Sequence, residues 1–285
     1  MNDPRNAPKE VPPSRPLRVF AVTSGKGGVG KTTVSVNLAC CAAASGQRVL
    51  LLDADLGLAN AQLMLGLQPR WHLGDVLQGR VGMEEALEEG PDGLRVLSAG
   101  SGVQYLTQLK DAQKQSLLDA LTPLQDRFDL VVVDNASGIG DNVVFFSGAS
   151  HEVLVVASPE PTSLTDAYAT IKVLSETGGV TRFHILVNMV GGEARARDVF
   201  ARLTSVTGRF LRARVSYAGH VPRDGRVHAA VMAQRPLVRL YPDAPAARAF
   251  HLLHAHLLAS APPPPDGGIK LMWERTLRET SLGDL

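Results

Sequence analysis

The chain has 285 residues, 45% of them hydrophobic and 20% charged, enough apolar material for one large α/β domain and too much for disorder over its bulk. Its formal net charge is only +1, so any strongly charged surface has to be local. Two cysteines, Cys40 and Cys41, stand side by side, a spacing that supplies neither a disulfide framework nor a metal-ligand pair and points to a cytosolic chain.

In chain order, Met1–Pro16 carries five prolines and mixed charge without the apolar core of a signal segment, and is expected to be a disordered tail, residues 1–16. An apolar strand, Arg18–Ser24, precedes a helix over Lys31–Ser45 that contains both cysteines. Strands follow over Arg48–Asp53 and Leu94–Ser98, then a helix over Ala112–Leu121 and a strand over Asp129–Asp134. Helix Asp141–Ser150, strand Glu152–Ala157, helix Ser163–Glu176, strand Phe183–Asn188, helix Ala194–Thr207, strand Arg214–Val221 and helices Arg223–Gln234 and Pro245–Ser260 complete the order. This alternation, with strands nearly continuous in Val, Leu and Ile, predicts a doubly wound, mostly parallel sheet with helices on both faces, one domain over residues 17–260. No run of about 18 apolar residues is available to span a bilayer.

Charge is uneven along that domain. From Arg182 to Arg248 there are 12 arginines, no lysine and four acids. The stretch reads either as a solvated arginine-rich surface or as an interaction face for an acidic partner, lipid or nucleic acid. His251, His254 and His256 do not make a metal site: only the first two share a helical face, and no nearby carboxylate completes a ligand set.

The chemistry concentrates in Gly25-Lys26-Gly27-Gly28-Val29-Gly30-Lys31-Thr32, which satisfies G-x-x-x-x-G-K-[ST] between a strand and a helix, where a phosphate loop has to sit. Glycines let successive backbone N–H groups turn toward a polyphosphate at the positive end of a helix. Lys31 then meets the β- and γ-phosphates, Thr32 supplies a hydroxyl to Mg²⁺, and Asp134, ending the strand Leu130–Asp134, joins the metal shell through water.

A second lysine, Lys26, directly after the first glycine gives the loop the look of a deviant Walker A motif, and the chain resembles the MinD/ParA family of P-loop ATPases, of the SIMIBI class. That resemblance implies ATP and Mg²⁺ as ligands, with Thr33 completing the binding loop. It also implies a homodimer in which Lys26 reaches the partner's phosphates, and a hydrolytic role shared by Lys26, Lys31 and Asp55. Two further stretches carry it: Asp53-Ala-Asp55-Leu-Gly-Leu-Ala-Asn60 after the second strand and Asp134-Asn-Ala-Ser-Gly138 after the fourth. By carry-over, Asp55 orients the attacking water, Asn60 supports the switch, the Gly138 N–H senses the γ-phosphate, and Asp53 is a supporting carboxylate. Asn188 and Pro222, in Val221-Pro-Arg-Asp224, match positions that hold the adenine. Asn135 and Ser137 stand where Thr or Ser and Ala are expected, which implies weak intrinsic turnover.

Within the family, Glu160-Pro-Thr-Ser-Leu-Thr-Asp-Ala-Tyr-Ala169, with Val22–Gly25 and Val180–Phe183, is most similar to the flagellar site-determining ATPases of the FlhG/FleN group. The implied role is regulation of flagellar number or placement, through a transcriptional activator, an SRP-type GTPase or a basal-body protein. Met1–Pro16 lacks the Asp-Gln-Ala activator motif that many relatives use on the GTPase. After a Pro/Gly linker, residues 261–268, the segment 269–285 puts Ile269, Met272, Trp273 and Leu277 on one helical face, suited to a membrane surface. Peripheral attachment to the inner face of the cytoplasmic membrane in the ATP state is expected. A MinD-like division-site role and ParA-like DNA partitioning stay open as alternatives, with nucleic acid the less favoured partner. An iron–sulfur ATPase would need cysteines beyond Cys41, and a ligase would need a substrate pocket that the sequence does not identify.

Overall fold

A computed structural model describes residues 16–56, 59–100, 109–211 and 213–259. The tail up to Arg15, the linker 261–268 and the segment 269–285 lie outside the described residues.

Among the described residues eight strands form one sheet: β1 (Arg18–Ser24), β2 (Val49–Ala54), β3 (Glu88–Glu89), β4 (Arg95–Leu97), β5 (Leu130–Ser137), β6 (Glu152–Ala157), β7 (Arg182–Val190) and β8 (Arg214–Pro222). Their order is β3-β4-β2-β5-β1-β6-β7-β8, parallel throughout except for β3 against β4. The helices are α1 (Lys31–Ala44), α2 (Ala61–Met64), α3 (Leu73–Leu77), α4 (Met83–Ala86), α5 (Asp111–Leu121), α6 (Asp141–Gly148), α7 (Pro161–Glu176), α8 (Glu193–Phe210), α9 (Gly225–Met232), α10 (Leu237–Leu240) and α11 (Pro245–Ala259).

The strands are buried on both faces because successive side chains enter two different cores. Val19 and Ala21 point into one, with Leu117, Phe146, Ile171 and Leu203 from α5 to α8. Phe20 and Val22 point into the other, with Leu38, Phe250 and Leu253 from α1 and α11. The doubly wound architecture expected from the sequence is thereby borne out.

Boundaries differ in two places that matter. Between β2 and β4 the chain forms α2, α3, α4 and the two-residue β3, none of which the sequence pattern announced; each is too short to show a period. Strand β5 runs on to Ser137, past the expected end at Asp134, because Ser24 at the end of β1 is in register with Ser137.

A buried ion cluster clamps the lower half of the sheet. Glu152, first in β6, accepts from Arg18 Nη2 at 3.1 Å and from His184 Nε2, and the other ring nitrogen of His184 lies 3.0 Å from Ser216 Oγ. Burial pushes the Glu152 carboxyl up, yet the His184 hydrogen bond and the charges of His184, Arg182 and Arg18 outweigh it and hold the pKa below the ordinary glutamate value. With the folded pKa depressed, this contribution is present above the ordinary glutamate range and lost as pH falls through the depressed value. Glu152→Ala strands buried cations, and denaturant titration at neutral pH should show a loss of about 3–5 kcal/mol. A midpoint equal to the parent's would show that the cluster holds nothing.

Candidate functional site: the phosphate loop and its switches

Ligand sites in open α/β sheets lie beyond the carboxyl ends of the strands. Here the ends of β1, β2, β5 and β7 converge on the turn from β1 into α1. Gly30, which caps α1, has φ 88°, and a Cβ there would come within 2.5 Å of Asn188 Nδ2. At Gly25 the obstacle is backbone, with the Asp166 carbonyl carbon 2.3 Å from an added Cβ. Both ends of the loop therefore require glycine, while Gly27, Gly28 and Val29 carry it between them.

Lys31 and Thr32 open α1, and the Lys31 side chain is nearly buried. Beside them Asp134 accepts from Ser35 Oγ at 2.7 Å. Burial raises the Asp134 pKa, only partly offset by hydrogen bonds from Ser35 and Thr32 and by the Lys31 charge. A buried carboxylate held between a hydroxyl and an ammonium is the arrangement a hydrated divalent cation completes. The site thus fits a polyphosphate with Mg²⁺ at Thr32 and Asp134, and the ion would supply charge neutralisation across the phosphates.

Asp53 lies next to Asp134 in register on β2. Its carboxylate accepts from the N–H groups of Asp55 at 3.1 Å and of Asn60 and Ala61 at 2.9 Å each. The loop carrying Asp55 and Asn60 is thus tied back onto one buried carboxylate, whose pKa is raised by that burial and by Asp134. Asp53 thereby holds the backbone of this loop.

The turn that follows β5 is tied back to the end of β1. Gly138 donates its N–H to the Ser24 carbonyl at 2.9 Å, so a γ-phosphate could take that N–H only if this bond opened. Asn135 turns away from the loop, is buried, and donates from Nδ2 to Ser147 Oγ of α6 at 3.1 Å.

Asn188 at β7 donates from Nδ2 to the Val29 carbonyl at 2.8 Å, bracing the phosphate loop from below. It also lines a cavity of about 290 Å³ with Gly30, Thr33, Pro222, Val227 and Phe250. The pocket is apolar and lies beside the loop, as a purine needs.

Lys26 does not face its own loop. Its ammonium binds Glu160 Oε2 at 2.5 Å and Thr162 Oγ1 at 3.2 Å, at the exposed start of α7. The hydrogen bond and charge of Lys26 hold the Glu160 carboxyl below the ordinary glutamate range. No local pattern announces this pairing, since Glu160 lies 134 residues away from Lys26. Cys40 and Cys41 are buried in α1, and burial pushes each thiol up to about 12, leaving both protonated.

A strand, a glycine loop braced at both ends, a lysine and threonine opening a helix, and a buried aspartate opposite define the phosphate site of a P-loop NTPase. The family profile described as ParA, NUBPL iron-transfer P-loop NTPase, matches residues 16–258, and the chain belongs to this ParA/MinD family. It is 45% identical to the antiactivator FleN of Pseudomonas aeruginosa over 277 residues, 96% of this chain and 99% of that one. It is 29% identical to the flagellum site-determining protein YlxH of Helicobacter pylori, over 92% of this chain and 90% of that one. Among solved structures, the septum site-determining protein MinD of Pyrococcus horikoshii, complexed with Mg-ADP, superposes with a TM-score of 0.71 at 26% identity, covering 86% of this chain and 98% of that one. Family membership implies ATP hydrolysis at this loop.

Proposed function

We propose that this chain is an ATP-operated switch that closes into a homodimer, hydrolyses ATP slowly, and regulates flagellar number or placement at the membrane, as antiactivator or assembly regulator. The observation that carries the reading is Lys26: it sits inside the phosphate-loop motif yet projects to the exposed rim, where a second copy can present its own phosphates. Likeness to FleN and YlxH supports the flagellar role. Asp55, on the loop tied to Asp53, is the residue to orient water. Asn60 supports that loop, Gly138 reports the γ-phosphate once its bond to Ser24 opens, and Asn188 and Pro222 border the base. Transcriptional activators, SRP-type GTPases and basal-body proteins are the partner classes that follow.

The Lys26–Glu160 pair is exposed, so breaking it costs little. It nevertheless competes with the reach of Lys26 across a dimer. Glu160→Gln should lower the protein concentration for half-maximal ATP-dependent dimerisation by about threefold, read by light scattering after size exclusion. An unchanged or higher midpoint would rule out the pair as a restraint.

The segment 269–285 supplies the membrane contact in this reading. One short amphipathic segment binds lipid marginally, while a dimer presenting two gains avidity. Co-sedimentation with anionic liposomes should rise with Mg-ATP, stay low with ADP, and disappear on truncation before Ile269 or in Trp273→Glu. Binding that ignores the nucleotide, or survives the truncation, contradicts this role.

A further inference from the structure

Strand β8 ends the sheet: among the described residues its far edge has no strand neighbour. An unpaired strand edge presents a row of backbone donors and acceptors, and proteins normally blunt it. Here β8 carries a bulge at Ala218 and ends on Pro222, which protects it against sheet-to-sheet pairing. Yet the edge is not covered. It is the floor of a recess of about 710 Å³ walled by α8 on one side and α11 on the other. Gly219 sits in the middle with φ 124°, and a Cβ built there meets nothing within 4 Å. Two flanking helices leave access for one extended chain rather than for another sheet.

The walls have a definite chemistry. Arg197 of α8 stacks on the Tyr217 ring at 4.2 Å, and Arg248, Leu252 and His256 of α11 face it across the recess, with His220 on the floor. Leu252 is 72% exposed, a large apolar side chain with no cover. The single carboxylate in the lining, Glu193, is paired with Arg197 at 3.1 Å, and both partners are more than half exposed, so an incoming carboxylate can displace it cheaply. Arg197 and Arg248 belong to the chain's arginine-rich stretch, 12 arginines against four acids from Arg182 to Arg248.

We propose that this recess is a docking site for one extended acidic segment of a partner protein, which adds to the sheet by pairing with the free edge of β8. Main-chain hydrogen bonds would give affinity and the walls selectivity, with alternate side chains of the segment facing α8 and α11. Each face of the segment then meets one arginine and one apolar surface, Arg197 with Tyr217 and Arg248 with Leu252.

The test uses the full chain and a labelled peptide repeating Asp-Asp-Val-Val over about eight residues, which places carboxylates and valines on both faces of a strand. Fluorescence anisotropy should show binding that falls about tenfold when alternate peptide amides are N-methylated and about tenfold in Arg197→Glu/Arg248→Glu, with ATP binding by that variant unchanged. A Lys-Lys-Val-Val peptide should bind that variant and not the parent. The amides from Val215 to Val221 should gain hydrogen-exchange protection with peptide. Equal binding of the N-methylated peptide, or no protection of β8, would overturn the proposal. So would a DNA duplex that displaces the peptide and protects the same amides, protection that rises with protein concentration alone, or protection that vanishes on truncation after Ala259. These outcomes assign the recess to nucleic acid, a second copy or the chain's own tail.

Discussion

Lys31→Ala will abolish ATP binding and ATP-dependent dimerisation together while leaving the fold intact. The lysine opens α1 directly after the left-handed Gly30, with its side chain nearly buried beside Asp134. In the proposed reading its ammonium meets the β- and γ-phosphates. Two charge-assisted hydrogen bonds lost, each about 1.5–3 kcal/mol, weaken nucleotide binding by about a hundredfold or more. The apo protein tolerates the change, because Asp134 keeps its bond from Ser35 and, without the lysine charge that lowers its pKa, takes up a proton more readily. Calorimetric titration with Mg-ATP, paired with a thermal melt, checks both halves. Parental nucleotide affinity would refute the assignment, and a collapsed melt would shift the test to Lys31→Met, which keeps the stem and loses only the charge.

The phosphate loop was legible in the sequence because its residue types are dictated one by one: glycine where a Cβ would strike Asn188 or the Asp166 backbone, lysine and threonine where the helix starts. The sheet was legible because strands buried on both faces leave unbroken apolar runs. What escaped was set by long-range register. Nothing local says that β5 continues to Ser137, since that depends on Ser24 lying opposite. Nor does any spacing link Lys26 to Glu160, or bring Asn188 under Val29. Residues 59–94 were opaque for another reason: α2, α3 and α4 have four or five residues each, less than two turns, so no hydrophobic period can develop.

Asp55→Ala will keep ATP binding but stop hydrolysis, so that the dimer accumulates. The residue lies on the loop between β2 and α2, whose backbone N–H groups at Asp55, Asn60 and Ala61 all converge on the Asp53 carboxylate. Those three bonds hold the loop backbone from the Asp53 carboxylate, so Asp55→Ala should leave them in place. The residues proposed to hold the phosphates, Gly25–Thr33, and the metal, Thr32 and Asp134, are unchanged in this variant. A positioned group that orients or deprotonates the attacking water contributes about 10²–10⁴ in rate. Turnover should therefore drop by about that factor with ATP affinity close to the parent's. In size-exclusion light scattering with Mg-ATP, the variant should run as a stable dimer where the parent relaxes to monomer as ATP is consumed. The control is Asp53→Ala, which releases three N–H groups at once and should lose loop order, raising the hydrogen exchange of Asp55, Asn60 and Ala61 together, an effect Asp55→Ala lacks. Unchanged turnover in Asp55→Ala would move the water-orienting role elsewhere, and a monomer with ATP bound would show that this loop builds the dimer interface instead of timing its release.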